Sequence, residues 1–110
     1  MSGFDARPRV RVPRTASVDE VVLVRTLINH PMENGHRVDT DGNTVPRHII
    51  NRFTCTFNGE TVIDMEIEPS LSANPFIEFE ARVPESGEFA FTWVDDDGSV
   101  YEDSASITVG

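Results

Sequence analysis

Residues 49–68 read IINRFTCTFNGETVIDMEIE. Phe53, Cys55 and Phe57 alternate with Arg52, Thr54 and Thr56. This period of two sends successive side chains to opposite faces of a β-strand. Asn58-Gly59 follows, a pair that specifies a type I′ hairpin because both turn positions need positive φ. The return strand, Thr61 to Glu68, sets Ile63, Met65 and Ile67 against Asp64, Glu66 and Glu68. A hairpin with one apolar face has to bury that face against a second layer.

Reading outward supplies the layer. Phe76 to Val83 alternates Ile77, Phe79, Ala81 and Val83 with Glu78, Glu80 and Arg82. Glu85-Ser86-Gly87 turns the chain into Phe89, Phe91 and Trp93, which alternate with Ala90, Thr92 and Val94. That strand is apolar on both faces, as expected at the centre of a sheet. Asp95-Asp96-Asp97-Gly98 makes a tight turn into a last strand, Val100 to Val109. Upstream, Val10 and Val12 alternate with Arg9 and Arg11 in a short first strand. Glu20 to Asn29 is a β-branched second strand, closed by His30-Pro31 because proline lacks a ladder donor. Strands spaced roughly 8–12 residues apart, with hairpin turns and no helical period, predict an all-β fold. The expectation is an immunoglobulin-like antiparallel β-sandwich of about seven strands, one domain over residues 1–110.

The exception to this spacing is residues 30–48, HPMENGHRVDTDGNTVPRH, with two prolines and the turn pairs Asn34-Gly35 and Asp41-Gly42. This reads as a long loop with room for a small hairpin of its own. Loops beyond about 12–15 residues in a compact domain are usually functional or mobile, so a site is first sought here.

Charge narrows the function. Nine basic and nineteen acidic residues give a net charge of −10. A nucleic-acid binder needs a basic footprint, and an anionic membrane surface would repel this chain. Every basic residue is an arginine, so lysine Schiff-base and P-loop chemistry is excluded. The halves differ: residues 1–52 carry +2 and residues 53–110 carry −12. The single cysteine, Cys55, cannot form an internal disulfide, and no Cys-x-x-Cys spacing exists. The start, MSGFDARP, has no apolar stretch of a secretory signal, and no apolar run reaches the ~20 residues of a membrane span. Composition by itself places the chain in the cytoplasm.

Three groupings could carry chemistry. His30, His36 and His48 lie in or beside the long loop and Cys55 follows, a donor set that could hold a transition metal. Superoxide reductases bind iron through His and Cys on a small immunoglobulin-like fold, but their Cys-Asn-x-His element is missing here. Cys55 is in phase with Phe53 and Phe57, which directs it to the core as a small hydrophobe and not to a reactive position. The consecutive carboxylates Asp95-Asp96-Asp97 do not follow the alternate spacing of a calcium loop and read as a solvated hairpin turn. The residues alone leave open a binding module, a small His/Cys mononuclear metal redox protein and an accessory immunoglobulin-like module.

Further segments stand in a telling order: RVRVP (9–13), LINHPMENG (27–35), VPRHIINRFTCTFNG (45–59), ANPF (73–76), and Ser86-Gly87 with FTWVDDDGS (91–99). Together they closely resemble the SoxZ family, from about Arg7 to Val109. The resemblance implies an immunoglobulin-like sandwich that pairs with SoxY, a subunit whose flexible C-terminal Gly-Gly-Cys arm carries sulfur intermediates of thiosulfate oxidation. It implies a non-catalytic scaffold with no cofactor and no metal, presenting the complex to other Sox enzymes that visit transiently. It also implies a periplasmic location, reached by export with a signal-bearing partner, against the composition default. The quoted sequence closes on SASITVG without the carrier arm's cysteine, and Cys55, in a strand interior, is not expected to take the carrier role. The SoxY contact is expected on the less acidic half formed by the first strand and the long loop, around His30, Pro31, Met32, Val45, Pro46 and Arg47.

Overall fold

The computed structural model describes residues 7–30, 32–33, 35–67 and 75–110. Among the described residues eight strands form: β1 (Pro8–Arg11), β2 (Thr15–Ala16), β3 (Glu20–Ile28), β4 (Ile50–Phe57), β5 (Glu60–Glu66), β6 (Phe76–Val83), β7 (Gly87–Asp95) and β8 (Val100–Val109). They divide into a three-stranded sheet, order β1-β3-β6, and a five-stranded sheet, order β2-β8-β7-β4-β5. The all-β sandwich is the expected one. The addition is β2, a two-residue strand that pairs parallel with β8, Thr15 against Thr108 and Ala16 against Val109. Two residues are too short to show alternation, so nothing in the local pattern announces it. Every other strand pair is antiparallel.

The β4–β5 hairpin forms as its sequence dictates. Asn58 has φ of 50° and Gly59 φ of 85°, the paired positive values of a type I′ turn. The Asn58 side chain reaches out of this turn: Oδ1 accepts the Glu88 N–H at 3.0 Å and Nδ2 donates to the Ser86 carbonyl at 3.3 Å. A Cβ at Gly87 would collide with that side chain, which explains the glycine at the head of β7.

The apolar faces of the two sheets meet in one core. Val22, Val24 and Ile28 of β3 and Ile77, Ala81 and Val83 of β6 face Phe53 and Cys55 of β4 and Phe89, Phe91 and Trp93 of β7. The rings are layered: Phe53 lies 5.2 Å from Trp93, and Phe57 lies 4.7 Å from Phe89. These separations are in the favourable range for offset and tilted aromatic pairs. β7 sits between β8 and β4, so its outward residues Ala90, Thr92 and Val94 are half-buried by their neighbours. The centre-of-sheet expectation holds.

The long loop carries the small hairpin its turn residues suggest. Val38 bridges Thr44, the Asp39 N–H donates to the Asn43 carbonyl at 2.9 Å, and Gly42 takes φ of 85°. A second bridge, Glu33 with His48, pins the base of the loop.

Candidate functional site

Cys55 occupies the interior of β4, between Ile63 of β5 and Phe91 of β7. Its exposure is 0%. Burial pushes the thiol pKa up to about 12, because an apolar surrounding penalises the thiolate. A nucleophilic or sulfur-carrying cysteine needs the thiolate and access to it. Cys55 has neither, as the strand phase predicted.

The histidines behave differently from a loop cluster. His30 continues the inward phase of Val24, Thr26 and Ile28 and is 1% exposed. His36 is exposed on the loop, and His48 is half-buried. The carboxylate that joins His30 and His48 is Asp95. Far from being a solvated turn residue, Asp95 is 2% exposed, which corrects the expectation for the Asp95-Asp96-Asp97 run. Its phase explains the correction: Asp95 follows Phe89, Phe91 and Trp93 on the core side of β7.

Asp95 is a hub. Its Oδ2 accepts the Tyr101 hydroxyl at 2.6 Å, and the His48 Nε2 stands 3.1 Å from the same oxygen. Its Oδ1 accepts the backbone N–H groups of Asp97 and Ser99 at 3.1 and 3.2 Å. His30 Nε2 lies 3.6 Å from Oδ2, and the rings of His30 and His48 meet edge to face at 5.3 Å. Buried carboxylates are tolerable only with this degree of hydrogen bonding.

One ligand atom from each of His30, His48 and Asp95 falls within a 4.8 Å group, so the set invites comparison with a two-histidine, one-carboxylate metal centre. The hydrogen bonding of His30 decides against it. The Met32 N–H donates to His30 Nδ1 at 3.0 Å. Nδ1 is therefore the bare nitrogen and Nε2, facing Asp95, holds the proton. A metal-ligating histidine has the reverse arrangement, offering a bare nitrogen to the ion and donating its other N–H to an acceptor. Burial, and then the neighbouring His48, lower the pKa of His30, which keeps the ring neutral. Cys55 does not belong to this group, so the His30, His36, His48 and Cys55 donor set is not assembled.

What the hub does is mechanical. It fastens the long loop to the β7–β8 turn. Arg47 and Asp96 add a second fastening, with Nε to Oδ2 at 2.9 Å and Nη2 to Oδ1 at 3.2 Å. Asp96 also accepts the Ile49 N–H and the Asn51 side-chain amide, each at 3.1 Å. Partial burial raises the Asp96 pKa, but these donors outweigh it and hold the carboxyl below the usual range. Sequence reading missed Asp95 and Tyr101 as partners of the histidines. For Asp95 the signal was available in the continued alternation of β7. For Tyr101 none was, since it depends on the pairing of Trp93 with Tyr101 across β7 and β8.

The residues expected at a partner contact separate. His30 and Met32 are buried in the chain itself. Val45 is half-buried, and Pro46 and Arg47 are exposed, with Arg47 held by Asp96. Pro31 lies outside the described residues. The accessible part of that patch is thus Val45, Pro46 and Arg47.

A different surface is prominent on the three-stranded sheet. Its outward face carries Val21, Leu23 and Leu27 of β3 and Phe76 of β6, all exposed. Along its flank a groove of about 340 Å³ is lined by Arg9, Arg11, Arg25, Leu27 and Phe76 among others.

No curated protein matches the chain in sequence. Solved structures share its fold. A superoxide reductase (neelaredoxin) from Ignicoccus hospitalis is 19% identical with a TM-score of 0.71, over 94% of this chain and 79% of that one. The sulfur carrier protein SoxY from Chlorobium limicola f thiosulfatophilum is 12% identical with a TM-score of 0.67, over 94% of this chain and 78% of that one. A CARDB domain from Pyrococcus furiosus is 10% identical with a TM-score of 0.54, over 96% and 94%. At these identities the likeness is one of fold. Sequence decides the family: residues 10–106 match the sulphur oxidation protein SoxZ, and the chain belongs to the SoxZ family.

Proposed function

We propose that this chain is the non-catalytic scaffold subunit of a two-subunit sulfur carrier in thiosulfate oxidation. The observation that carries the reading is the state of Cys55, fully buried with its thiol pushed up to about 12. A member of a sulfur-oxidation family whose only thiol is sealed in its core holds substrate through another polypeptide. The partner is a SoxY-type subunit with a cysteine on a mobile terminal arm. A sulfur carrier protein SoxY has the same sandwich fold, so two related modules would pair, one armed and one not. The pair works in the periplasm, with this chain exported in company with its signal-bearing partner, and other Sox enzymes visit it.

Co-expression with a cysteine-armed partner tests this. Stable co-purification of the two chains is expected, with thiosulfate-derived adduct on the partner only. A folded chain that ignores such a partner contradicts it.

A further inference from the structure

The two sheets treat solvent differently. On the outward face of the five-stranded sheet the exposed large hydrophobics are Val62 of β5 and Val100 of β8, with β7 and β4 between them, where Thr54 pairs with Thr92, Ala90 with Ser104 and Thr92 with Glu102. Small and polar side chains suit a face that stays wet. On the three-stranded sheet the inward half of β3 is conventional, but its outward half is Val21, Leu23, Arg25 and Leu27. Val21 is 55% exposed, Leu23 and Leu27 are 37% each, and Phe76 beside Leu27 is 56%. Four of the eight large exposed hydrophobics among the described residues therefore lie on one three-stranded face. Grouped exposure of this kind marks an interaction surface, whereas scattered single residues do not.

The flanks of this face have opposite charge. Arg9 and Arg11 of β1 point outward, opposite Leu27 and Arg25 respectively. On the other side, Glu78 already pairs with Arg25 at 3.1 Å. The arginine flank and the apolar centre meet in the 340 Å³ groove, which is open to a partner's anchoring side chain. Aromatic residues and arginine around an apolar centre are the composition of energetically dominant interface positions.

We infer that the outward face of the β1–β3–β6 sheet is the seat of the carrier subunit, whose contact surface has an apolar centre and carboxylates set against Arg9 and Arg11. This rests on the scaffold reading above and gives it a location. The occupant is a different chain because each copy of this one carries −10, which opposes self-association at long range. The arginine flank lies in the half of the chain that holds eight of its nine arginines and carries +2, so carboxylates confined to a partner's contact surface are drawn to it at short range. This site differs from Val45, Pro46 and Arg47, the accessible remnant of the loop patch.

The experiment measures association of the purified chain with its cysteine-armed carrier subunit. Leu23→Glu, Phe76→Glu and the double variant Arg9→Glu/Arg11→Glu are compared with controls Val38→Glu, Val62→Glu and Pro46→Glu. The face variants are expected to weaken binding by about 30-fold or more each, the scale of interface hot spots, while the controls bind like the parent. Protection of Leu23, Leu27 and Phe76 from hydroxyl-radical labelling in the unsubstituted complex is the second measurement, which no folding defect can mimic. Face variants that bind normally, or a complex in which those residues label as in the free chain, overturn this location and leave the scaffold reading standing. A chain that sediments alone as a dimer dissolved by Phe76→Glu, while still binding the carrier, assigns the face to a second copy and overturns the inference. Absence of binding by the unsubstituted chain overturns both readings.

Discussion

Arg47 grips Asp96 with two parallel hydrogen bonds, 2.9 and 3.2 Å, across 49 residues of chain. Asp96 completes the contact by accepting the Ile49 N–H. A loop rich in proline and turn residues is thereby held against the β7–β8 turn at its C-terminal end. Asp96→Ala leaves an amide and a guanidinium without their acceptor and is expected to cost about 1–3 kcal/mol in urea unfolding. Asp96→Asn, which keeps an acceptor but loses the charge, should cost less. Because the carboxyl is held below its ordinary 3.8, this stability is present above that value and is lost as pH falls through the depressed one. Equal stability of both variants and parent would contradict the fastening role.

His30 imposes a milder acid sensitivity. Its folded pKa is lowered below the ordinary 6.5 by burial and then by His48. The unfolded chain therefore takes up the proton first, so stability declines as pH falls from about 6.5 towards the lowered value. Thermal midpoints measured from about pH 7 to pH 5 should drop for the parent. They should drop less for His30→Asn, whose side-chain oxygen can still meet the Met32 N–H. A steeper slope in the variant would contradict this.

The head of β7 gives a prediction about backbone space. Gly87→Ala thrusts a methyl group at the Asn58 side chain, which must leave its bonds to Glu88 and Ser86. A loss of about 1–2 kcal/mol is expected. Combined with Asn58→Ala, where those bonds are already gone, the same substitution should cost clearly less. Additive losses would show that the collision does not occur.

Cys55 should be silent in the folded chain. With its thiol pushed up to about 12 and no exposure, it is expected to resist thiol-specific reagents at neutral pH and to react fully in denaturant. Cys55→Ser introduces a hydroxyl among Phe53, Phe57 and Phe91 and should destabilise by about 1–3 kcal/mol, whereas Cys55→Ala costs about 1 kcal/mol. Both should support sulfur oxidation in the assembled complex once folded. Rapid labelling of native Cys55 would contradict its placement.

The fold was largely legible because alternation is a local property and the Asn58-Gly59 turn requires its own backbone angles. Phe53, Cys55 and Phe57 therefore reached the core as read. β2 was not legible, since its two residues owe their state to the β8 edge. The loop histidines were misjudged for a related reason. Asp95 is the last inward-phased position of β7 and His30 carries the inward phase two residues past the end of β3, and their polarity hid the continuing period. Their meeting with His48 and Tyr101 is set by sheet order and register, which a single sequence does not display. The expected contact patch lost His30 to the interior by the same effect, and Met32 to the core beside Ile50, whose N–H lies 3.3 Å from its sulfur. Meanwhile the outward apolar residues of β3 passed as ordinary β-branched strand content until the two faces of the sheet could be told apart.

In the proposed role this chain shapes and presents a sulfur carrier without bonding to the sulfur itself. Intact-mass analysis of the purified two-chain complex after incubation with thiosulfate and its loading enzymes tests it directly. A thiosulfate-derived mass increase confined to the cysteine-armed partner is expected, with this chain at its unmodified mass. An adduct on Cys55 would contradict it.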